Sequence, residues 1–234
     1  MKVFSGHQPN FLPYMGFFYK MYRSDVFVLD DDVQYTANDI INRNYLKLSG
    51  QKTRVTVPVK TTFGDRINEV QISYDRPWMD KLLKSVRISY ARAPHFDEGY
   101  ELLSRYLGKE YFFLSTLNML LIFEIAERFG IKSQTVIASN SLPTRQTSNA
   151  RNIYQCEALG CDVYYSGIGG KAYNDEEAYK EHGIQLVYSD YTPLQYKQVG
   201  KGPFIENLSV LDYIFNCGFV IPPEWGESRP ETFE

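Results

Sequence analysis

Residues 2–29 read KVFSGHQPNFLPYMGFFYKMYRSDVFVL, and they decide the fold class. The apolar run at residues 2–5 predicts a first strand, and the polar loop after it extends through Asn10. A helix is then predicted to begin near Pro13, because proline is tolerated in the first helical turn. Val26–Leu29 predicts a second, buried strand. The order strand, loop, helix, strand is typical of a parallel sheet with a crossover connection, so this opening predicts an α/β protein.

The last hundred residues continue this alternation of strands and helices. The strands are predicted at Thr135–Ala138, Asp162–Tyr165 and Ile184–Tyr188. Two helices lie between them at Asn149–Leu159 and Asp175–His182, and each is followed by glycine, the usual C-terminal stop. Together with the opening, the pattern predicts a mostly parallel, Rossmann-like sheet flanked by helices.

Two features interrupt the alternation. Asn44–Leu48 and Arg54–Val59 alternate apolar and polar residues around a Ser-Gly-Gln turn, which predicts an antiparallel hairpin, and Ile67–Ile72 is predicted to add a strand. A helical insertion follows at about residues 75–130, and its clearest helix is Leu114–Phe129, whose leucines recur on one face.

The domain organisation follows from these elements. A last helix is predicted at Asn207–Cys217, stopped by Gly218. The sequence has no internal repeat and no interdomain linker, so residues 1–221 are interpreted as a single α/β domain. Residues 222–234 are predicted to be an irregular C-terminal tail.

Composition excludes several classes of protein. The chain has a net charge of -3 and no basic run, which argues against a nucleic-acid partner. It has neither a signal-peptide pattern nor a run of ~18 apolar residues, so we expect a cytoplasmic protein without membrane insertion. The three cysteines lack a C-x-x-C spacing and only three histidines are present, so no metal site is predicted. The aromatic content of 15% is compatible with a homodimer.

The loop after the first strand is the first candidate site. His7, Gln8 and Asn10 offer donors and acceptors at the place where open α/β sheets bind ligands, and prolines stiffen the loop. Tyr14 follows at the start of the helix, whose N-terminus would favour an anion such as phosphate. The alternative is that these polar side chains merely satisfy buried backbone groups.

Polar residues also follow the second strand. Their carboxylates are suited to orienting an amine or ribose, or to holding Mg²⁺ against a phosphate, and an arginine there is suited to phosphate. An ordinary solvated turn is the alternative, since charge runs usually face water. The candidates in this group are Asp31 as the catalytic carboxylate and, as binding residues, Gln34, Tyr35, Asn42, Arg43 and Asn44.

A third polar loop follows the predicted strand at residues 162–165. Gly167 and Gly170 would let backbone N–H groups approach an anion, Lys171 would add charge, and Ser166 and Tyr173 flank them. The segment is not a Walker A loop. The alternative is a tight turn that requires positive φ.

Asp212 lies within the apolar run of the last predicted helix. A carboxylate there is either a paired internal group or part of the polar face of the helix. From the pattern alone we interpret it as the polar face.

Six short segments, taken in order, resemble the WbqC-like family across roughly residues 3–220. One departure is the run of three acids at residues 30–32, which leaves the functional aspartate ambiguous. The segments are Gly6-His7-Gln8-Pro9, Asp31-Asp32-Val33-Gln34-Tyr35, Asn42-Arg43-Asn44, Val57-Pro58-Val59, Tyr165-Ser166-Gly167 and Ser209-Val210-Leu211-Asp212.

The resemblance implies a role in gene clusters for bacterial O-antigen and other surface polysaccharides, with aminoacyl or acyl transfer to an amino sugar as the activity. In that reaction His7 would be the base, and Gln8 or Asn10 would hold the developing oxyanion. Arg43 and Lys171 would bind the pyrophosphate of a nucleotide-linked sugar, while tyrosines stack on sugar or base.

The acyl donor in this hypothesis is a thioester of CoA or of a carrier protein, and no metal is then required. One alternative is an enzyme that uses ATP with Mg²⁺ for nucleotidyl transfer or ligation, with the metal held near Asp31. A second alternative is a non-catalytic scaffold that binds a sugar nucleotide.

Overall fold

The computed structural model describes residues 1–37 and 39–226. Nine strands and eight helices are defined in this part of the chain, together with short 3-10 segments at Ile67–Glu69, Ile168–Ala172 and Pro223–Trp225. In chain order the strands and helices are β1 (Val3–His7), α1 (Met15–Tyr22), β2 (Val26–Leu29), β3 (Arg43–Leu48), β4 (Gln51–Thr56), β5 (Val59–Lys60), β6 (Gln71–Ile72), α2 (Trp78–Tyr90), α3 (Phe96–Leu107), α4 (Leu114–Arg128), β7 (Gln134–Ile137), α5 (Ala138–Ser141), α6 (Ser148–Ala158), β8 (Val163–Ser166), α7 (Glu176–Glu181), β9 (Gln185–Tyr188) and α8 (Val210–Cys217).

The central sheet has five strands in the order β7-β2-β1-β8-β9, and every pairing in it is parallel. After β1 the chain builds the sheet on one side through β2 and β7, and it then returns to β8 on the other side. The connection after β1 therefore runs toward β2, and the connection after β8 runs in the opposite direction toward β9. The loops at the carboxyl ends of β1 and β8 diverge and open a crevice between them. The predicted α/β fold with a parallel, Rossmann-like sheet is confirmed.

Helices cover both faces of this sheet, because side chains alternate along each strand. On one face, Val3 and Phe27 belong to a large core shared with α1 and the helical insertion. On the other face, Phe4 and Val28 pack in a smaller core with α6 and α7. Both faces are buried, which explains why β1 and β2 are nearly continuous apolar runs.

The predicted hairpin is formed by β3 and β4, with Leu48 paired to Gln51. Its two-residue turn has positive φ at Ser49 (52°) and Gly50 (83°), as tight hairpins require. The second strand ends at Thr56, two residues before Pro58, and the chain resumes as β5. Proline lacks the N–H that a continuous ladder needs, so the predicted strand at residues 54–59 is divided.

The strand predicted at Ile67–Ile72 is wrong over its first half. Residues Ile67–Glu69 form a 3-10 turn instead, in which the Glu69 carboxylate accepts a bond from the Arg66 backbone N–H at 2.8 Å. Only β6 is extended, and it pairs with β5 in a separate two-stranded sheet. The short helix α5 was not predicted.

The helical insertion packs against the large core through α2, α3 and α4, and the helix predicted at Leu114–Phe129 is confirmed as α4. At the other end of the chain, Trp225 lies in a 3-10 turn and packs on Tyr19 at a ring distance of 5.2 Å. The rest of the predicted tail, residues 227–234, lies outside the described residues.

In the described part of the chain, no helix combines the length and apolar character needed to cross a membrane.

Candidate functional site

A crevice of about 490 Å³ opens between the loops that follow β1 and β8, at the switch point of the sheet. The loop after β1 contributes His7, Gln8 and the start of α1, and the segment after β8 contributes its glycine-rich turn. Of the residues singled out in the sequence, the crevice is lined by His7, Gln8, Tyr14, Ser166, Gly167, Gly170 and Tyr173. The predicted residues of two of the three loops therefore meet at one crevice, because β1 and β8 are neighbours in the sheet.

Two buried asparagines hold the loop after β1 in place. Asn44 Nδ2 donates to the carbonyl of Leu12 at 2.6 Å and to that of Phe11 at 3.3 Å. Asn118 Nδ2, on α4, donates to the carbonyl of Pro9 at 2.8 Å. These bonds stabilise a loop in which Leu12 adopts a positive φ of 46°. Asn44, predicted to bind substrate, is instead a scaffold for the His7 loop because its amide nitrogen is turned onto backbone carbonyls.

His7 is the half-buried end residue of β1, and its ring stands edge-on to Phe17 at 5.1 Å. The Nδ1 atom lies 3.0 Å from the carbonyl oxygen of Gln8, which can only accept a hydrogen bond. The tautomer with Nδ1–H donating to that oxygen is therefore favoured, and Nε2 then carries the lone pair. Burial, and next the nearby charge of Lys20, lower the pKa of His7 to about 4. At neutral pH the imidazole is a neutral base.

An NMR titration tests this state of His7. The ring proton resonances of His7 are expected to stay constant between pH 8 and pH 5 and to move with a midpoint near pH 4, because protonation would place a charge in the desolvated crevice beside Lys20. The His7→Gln variant, which lacks these resonances, assigns them. A midpoint near the usual pKa of about 6.5 would contradict the electrostatics described here.

Lys20 is a functional candidate that the sequence reasoning missed. It lies on α1, is only 7% exposed, and its ammonium donates to the carbonyl oxygen of Gly6 at 2.7 Å. Burial lowers the pKa of Lys20 to about 8, while the nearby Asp30 favours the charged form. The available signal was a lone lysine inside an otherwise apolar helix. The long side chain of such a lysine either extends its ammonium to the protein surface or places it in a buried site. Here Lys20 lines the crevice.

Asp30, rather than Asp31, is the carboxylate at this crevice. Its Oδ1 atom accepts bonds from Arg151 Nε at 3.0 Å and Nη2 at 2.9 Å, and from Gln155 Nε2 at 2.7 Å. Burial raises the pKa of Asp30, whereas the Arg151 guanidinium favours the carboxylate. Arg151 also bonds Asp32 at 2.5 Å, and the two carboxylates together raise the pKa of Arg151 in spite of its burial. The cluster is a buried ion-pair network behind the crevice.

Asp31 has a different role from the catalytic one predicted for it. Its two carboxylate oxygens accept bonds from the backbone N–H of Ser139 at 3.0 Å and from the Ser139 hydroxyl at 2.7 Å. These contacts tie the end of β2 to the start of α5, and Asp31 does not line the crevice. Alternation along the chain explains the difference, because Asp30 continues the face of Val26 and Val28 toward α6 while Asp31 points to the other side.

Aromatic rings form one wall of the crevice. Tyr14 lies at the start of α1 and stands edge-on to Tyr191 at 5.8 Å, and both line the crevice. The Tyr14 ring packs against the backbone of Gly16, so closely that a Cβ at Gly16 would lie 2.7 Å from its Cζ atom and 2.8 Å from its hydroxyl oxygen. The ring can take this orientation because glycine at position 16 has no Cβ.

The Gly16→Ala variant tests this arrangement. Alanine normally stabilises a helix by about 0.5–1 kcal/mol relative to glycine. In the native background we expect the opposite sign, because the new methyl group collides with the Tyr14 ring. In a Tyr14→Ala background the same change should regain the usual stabilisation. Urea unfolding of the native chain, the two single variants and the double variant measures the effect of Gly16→Ala on the free energy of unfolding in each background. Equal effects in the two backgrounds would contradict the contact between Gly16 and Tyr14.

The segment after β8 forms the opposite wall. The Ser166 side chain is buried and its hydroxyl oxygen accepts from Asn174 Nδ2 at 3.0 Å. Gly170 packs over this pair, since a Cβ there would lie 2.7 Å from Asn174 Nδ2. Tyr173 is 66% exposed at the rim. Lys171 lies outside the crevice lining, and its ammonium is 5.2 Å from the ring centre of Tyr188.

The second predicted loop does not contribute its predicted residues to the crevice lining. Gln34 is exposed and bridges to Arg66, and Tyr35 is part of the large core. Asn42 Nδ2 donates to the carbonyl of Val57 at 2.9 Å, and its Oδ1 atom accepts from Arg43 Nε at 3.3 Å. These side chains organise the chain around the start of β3. They lie away from the crevice because the segment between β2 and β3 is long and carries them away from the end of β2.

Asn10 lies behind His7 rather than in the crevice lining. Its amide nitrogen is 3.5 Å from His7 Nδ1, and its Oδ1 atom is buried without a hydrogen-bond partner among the described residues. This position places Asn10 beside the imidazole but does not present donors to a ligand in the crevice. The oxyanion role predicted for Asn10 therefore has less support than that of Gln8, which does line the crevice.

A second buried polar cluster surrounds Asp212, and none of its residues lines the crevice. The Oδ1 atom accepts from the hydroxyl of Tyr90 at 2.6 Å, and Oδ2 accepts from the hydroxyl of Tyr196 at 2.7 Å and from Gln198 Nε2 at 2.9 Å. Burial raises the pKa of Asp212, and the three donors oppose that rise. The side chain is 0% exposed, so its interpretation as the polar face of a helix is wrong.

Comparison with known proteins gives a family match over most of the chain. A model described as the WbqC-like protein family matches residues 8–220. A relative from Mycobacterium tuberculosis (strain ATCC 25618 / H37Rv), named Uncharacterized protein Rv1507c, is 32% identical over 227 residues, which cover 95% of this chain and 96% of the relative. No solved structure matches the chain. The matched range contains α1, the insertion and the segment after β8, so it includes most of the crevice.

Proposed function

The chain belongs to the WbqC-like protein family, and we propose that it is a transferase that forms an amide between an acyl group, such as an amino acid, and the amine of a nucleotide-linked amino sugar. The reaction would serve O-antigen or surface-polysaccharide biosynthesis in the cytoplasm. The observation that carries this proposal is the neutral imidazole of His7 in a crevice at the switch point of the sheet.

The proposed reaction starts from an acyl thioester of CoA or of a carrier protein. The sugar amine attacks the thioester carbonyl, the C–N bond forms, and the C–S bond breaks to release the thiolate. Attack makes the nitrogen cationic and far more acidic, so even a base with a pKa of about 4 can accept its proton. His7 Nε2 takes that proton and passes it to the leaving thiolate, which restores the neutral imidazole.

Lys20 and Gln8 are suited to stabilising the negative charge that develops on the carbonyl oxygen. An ammonium has three N–H donors, and the carbonyl of Gly6 uses one of those on Lys20. The remaining donors are available to an oxyanion or to a phosphate of the sugar nucleotide. Charge stabilisation of this kind is strongest in a site with little water, and Lys20 is nearly buried.

The walls of the crevice fit a sugar nucleotide. Tyr14 and Tyr191 on one side and Tyr173 on the other present ring faces and edges suited to stacking on a base or sugar. The glycine-rich segment after β8 leaves room for a backbone approach to the ligand. Doubly wound sheets place nucleotides at this same point of their topology.

A nucleotidyl-transfer or ligase reaction that consumes ATP with Mg²⁺ is the second candidate, and Lys20 in a nucleotide-type crevice favours it. Asp31, the predicted metal ligand, is engaged by Ser139. This candidate would therefore use the Oδ2 atom of Asp30, because Arg151 and Gln155 donate to Oδ1. The third possibility, a sugar-nucleotide-binding scaffold, needs no reactive group at His7.

One assay separates these functions. The protein is incubated with a panel of nucleotide-linked amino sugars, given either an acyl thioester or an amino acid plus ATP and Mg²⁺, and amide products and pyrophosphate are measured. Amide formation from a thioester, without pyrophosphate release, is the expected result. Pyrophosphate release that depends on ATP would favour the second candidate. Ligand binding without turnover from any donor would identify a scaffold.

A further inference from the structure

A separate groove of about 560 Å³ lies between the turn of the β3–β4 hairpin, the C-terminal end of α2 and the segment at residues 199–201. It shares no lining residue with the crevice. The groove has no part in the proposed reaction, and its chemistry is set by three cations, Lys47, Arg92 and Lys201.

Lys47 is the unusual member of this group. The residue is only 3% exposed, yet its ammonium has no hydrogen-bond acceptor in the described part of the chain. The charge of Lys47 favours the carboxylate of Asp212, but the two groups form no ion pair, and that carboxylate accepts bonds from Tyr90, Tyr196 and Gln198. The Nζ atom itself is not among the fully buried polar atoms that lack a partner, so the stem of Lys47 is buried while its ammonium remains accessible to a bound anion.

Arg92 and Lys201 extend the positive charge from Lys47 to the mouth of the groove. Both side chains are exposed, and neither forms an ion pair within residues 1–37 and 39–226. No Asp or Glu lines the groove. In a chain with a net charge of -3, this is a local concentration of unpaired positive charge.

The two turns at the groove are packed backbone against backbone. A Cβ at Gly50 would lie 2.8 Å from the carbonyl oxygen of Lys201, and a Cβ at Gly202 would lie 3.0 Å from the carbonyl oxygen of Gly50. This contact fixes Lys201 beside the hairpin. The hydroxyl oxygen of Ser89 accepts from the backbone N–H of Ser49 at 3.2 Å, which leaves the Ser89 O–H free to donate.

We propose that this groove binds the phosphate group of a ligand. Lys47 contributes an ammonium at its wall, Arg92 contributes a fork-shaped guanidinium, and Lys201 contributes a third positive charge. The Ser89 hydroxyl is a further donor in the same lining. The site is separate from the crevice and does not depend on the proposed reaction there.

Calorimetric titration of the full chain with inorganic phosphate, pyrophosphate and UDP tests the site, at constant ionic strength set with sodium chloride. We expect saturable binding of at least one probe, weakened at least tenfold by Lys47→Met and by the pair Arg92→Gln with Lys201→Gln. The pair changes only exposed residues, so it remains informative even if Lys47→Met unfolds. Uridine distinguishes recognition of the phosphate from recognition of the nucleoside, because it should not bind the groove.

Two controls decide where a phosphate binds. The pair Lys84→Gln with Arg145→Gln removes two exposed charges outside the groove and should leave the affinity unchanged. Lys20→Met removes the crevice ammonium proposed to contact phosphate there, so the saturable binding that persists in this variant reports the groove. The proposal is overturned if no probe binds saturably, if the groove variants bind as tightly as the native chain, or if Lys20→Met abolishes binding.

Discussion

The His7→Ala variant is expected to lose turnover in the amide-forming assay by about 10²–10⁴-fold, which is the usual contribution of a positioned general base. The loss should appear mainly in kcat, because the imidazole acts on a proton that moves after the sugar amine has bound. Binding of the sugar nucleotide should stay within a few-fold of native, since the aromatic walls and Lys20 remain.

His182→Ala is the matched control for this prediction. His182 is a partly exposed surface histidine whose Nδ1 atom lies 2.7 Å from Glu157, and it is not part of the crevice lining. Its removal should leave turnover unchanged. Circular dichroism and thermal unfolding establish that both variants fold. Full activity of His7→Ala would remove His7 from the chemistry, and an equal loss in His182→Ala would point to a general structural effect.

Arg151→Met is expected to have the largest effect on stability. The Arg151 side chain is 8% exposed and bonds both Asp30 and Asp32, so its removal leaves two carboxylates without their guanidinium partner. Breaking a buried ion pair from one side typically destabilises a protein by about 3–5 kcal/mol. Urea unfolding followed by circular dichroism measures the loss. Arg145→Met, which removes an exposed arginine a few residues earlier, should change stability by no more than about 0.5 kcal/mol.

The stability loss in Arg151→Met should also depend on pH in a defined direction. Burial already raises the pKa of Asp30 in the native chain, and removing Arg151 raises it further. A carboxyl whose pKa is higher in the folded than in the unfolded state binds protons on folding, so acid stabilises the variant relative to neutral pH. The difference in unfolding free energy between the native chain and Arg151→Met should therefore be smaller at pH 5 than at pH 8. A difference that widens in acid would show that the ion pair is not its source.

The residues of the crevice differ in how far the sequence could identify them. His7, Gln8 and Tyr14 lie between the end of a strand and the start of a helix, and that local order was sufficient to place them at the carboxyl edge of the sheet. Asn42 and Asn44 belonged to an equally polar segment, but they support the backbone instead. A polar loop next to a strand therefore indicates a candidate site without separating ligand contacts from scaffold contacts.

Lys20 and Arg151 show why the remaining residues escaped prediction. Lys20 is one charge in an apolar helix, and nothing in its neighbours reveals that its ammonium reaches the carbonyl of Gly6. Arg151 meets Asp30 across 121 positions of the chain, and Tyr90 meets Asp212 across 122. Pairs so distant in sequence become neighbours only through the topology of the sheet and the insertion.

The α/β class, the alternation of strands and helices, and the place of His7 at the carboxyl end of the first strand could all be predicted from the order of residues along the chain. These properties depend on side-chain periodicity and on turn residues, which are local and can be recognised along the chain. Only the tertiary structure decided that Asp30 rather than Asp31 joins the crevice, that Asp212 is buried, and which polar loops form one site. Those outcomes depend on the faces that distant elements bury against each other, because burial and charge pairing are properties of the packed chain.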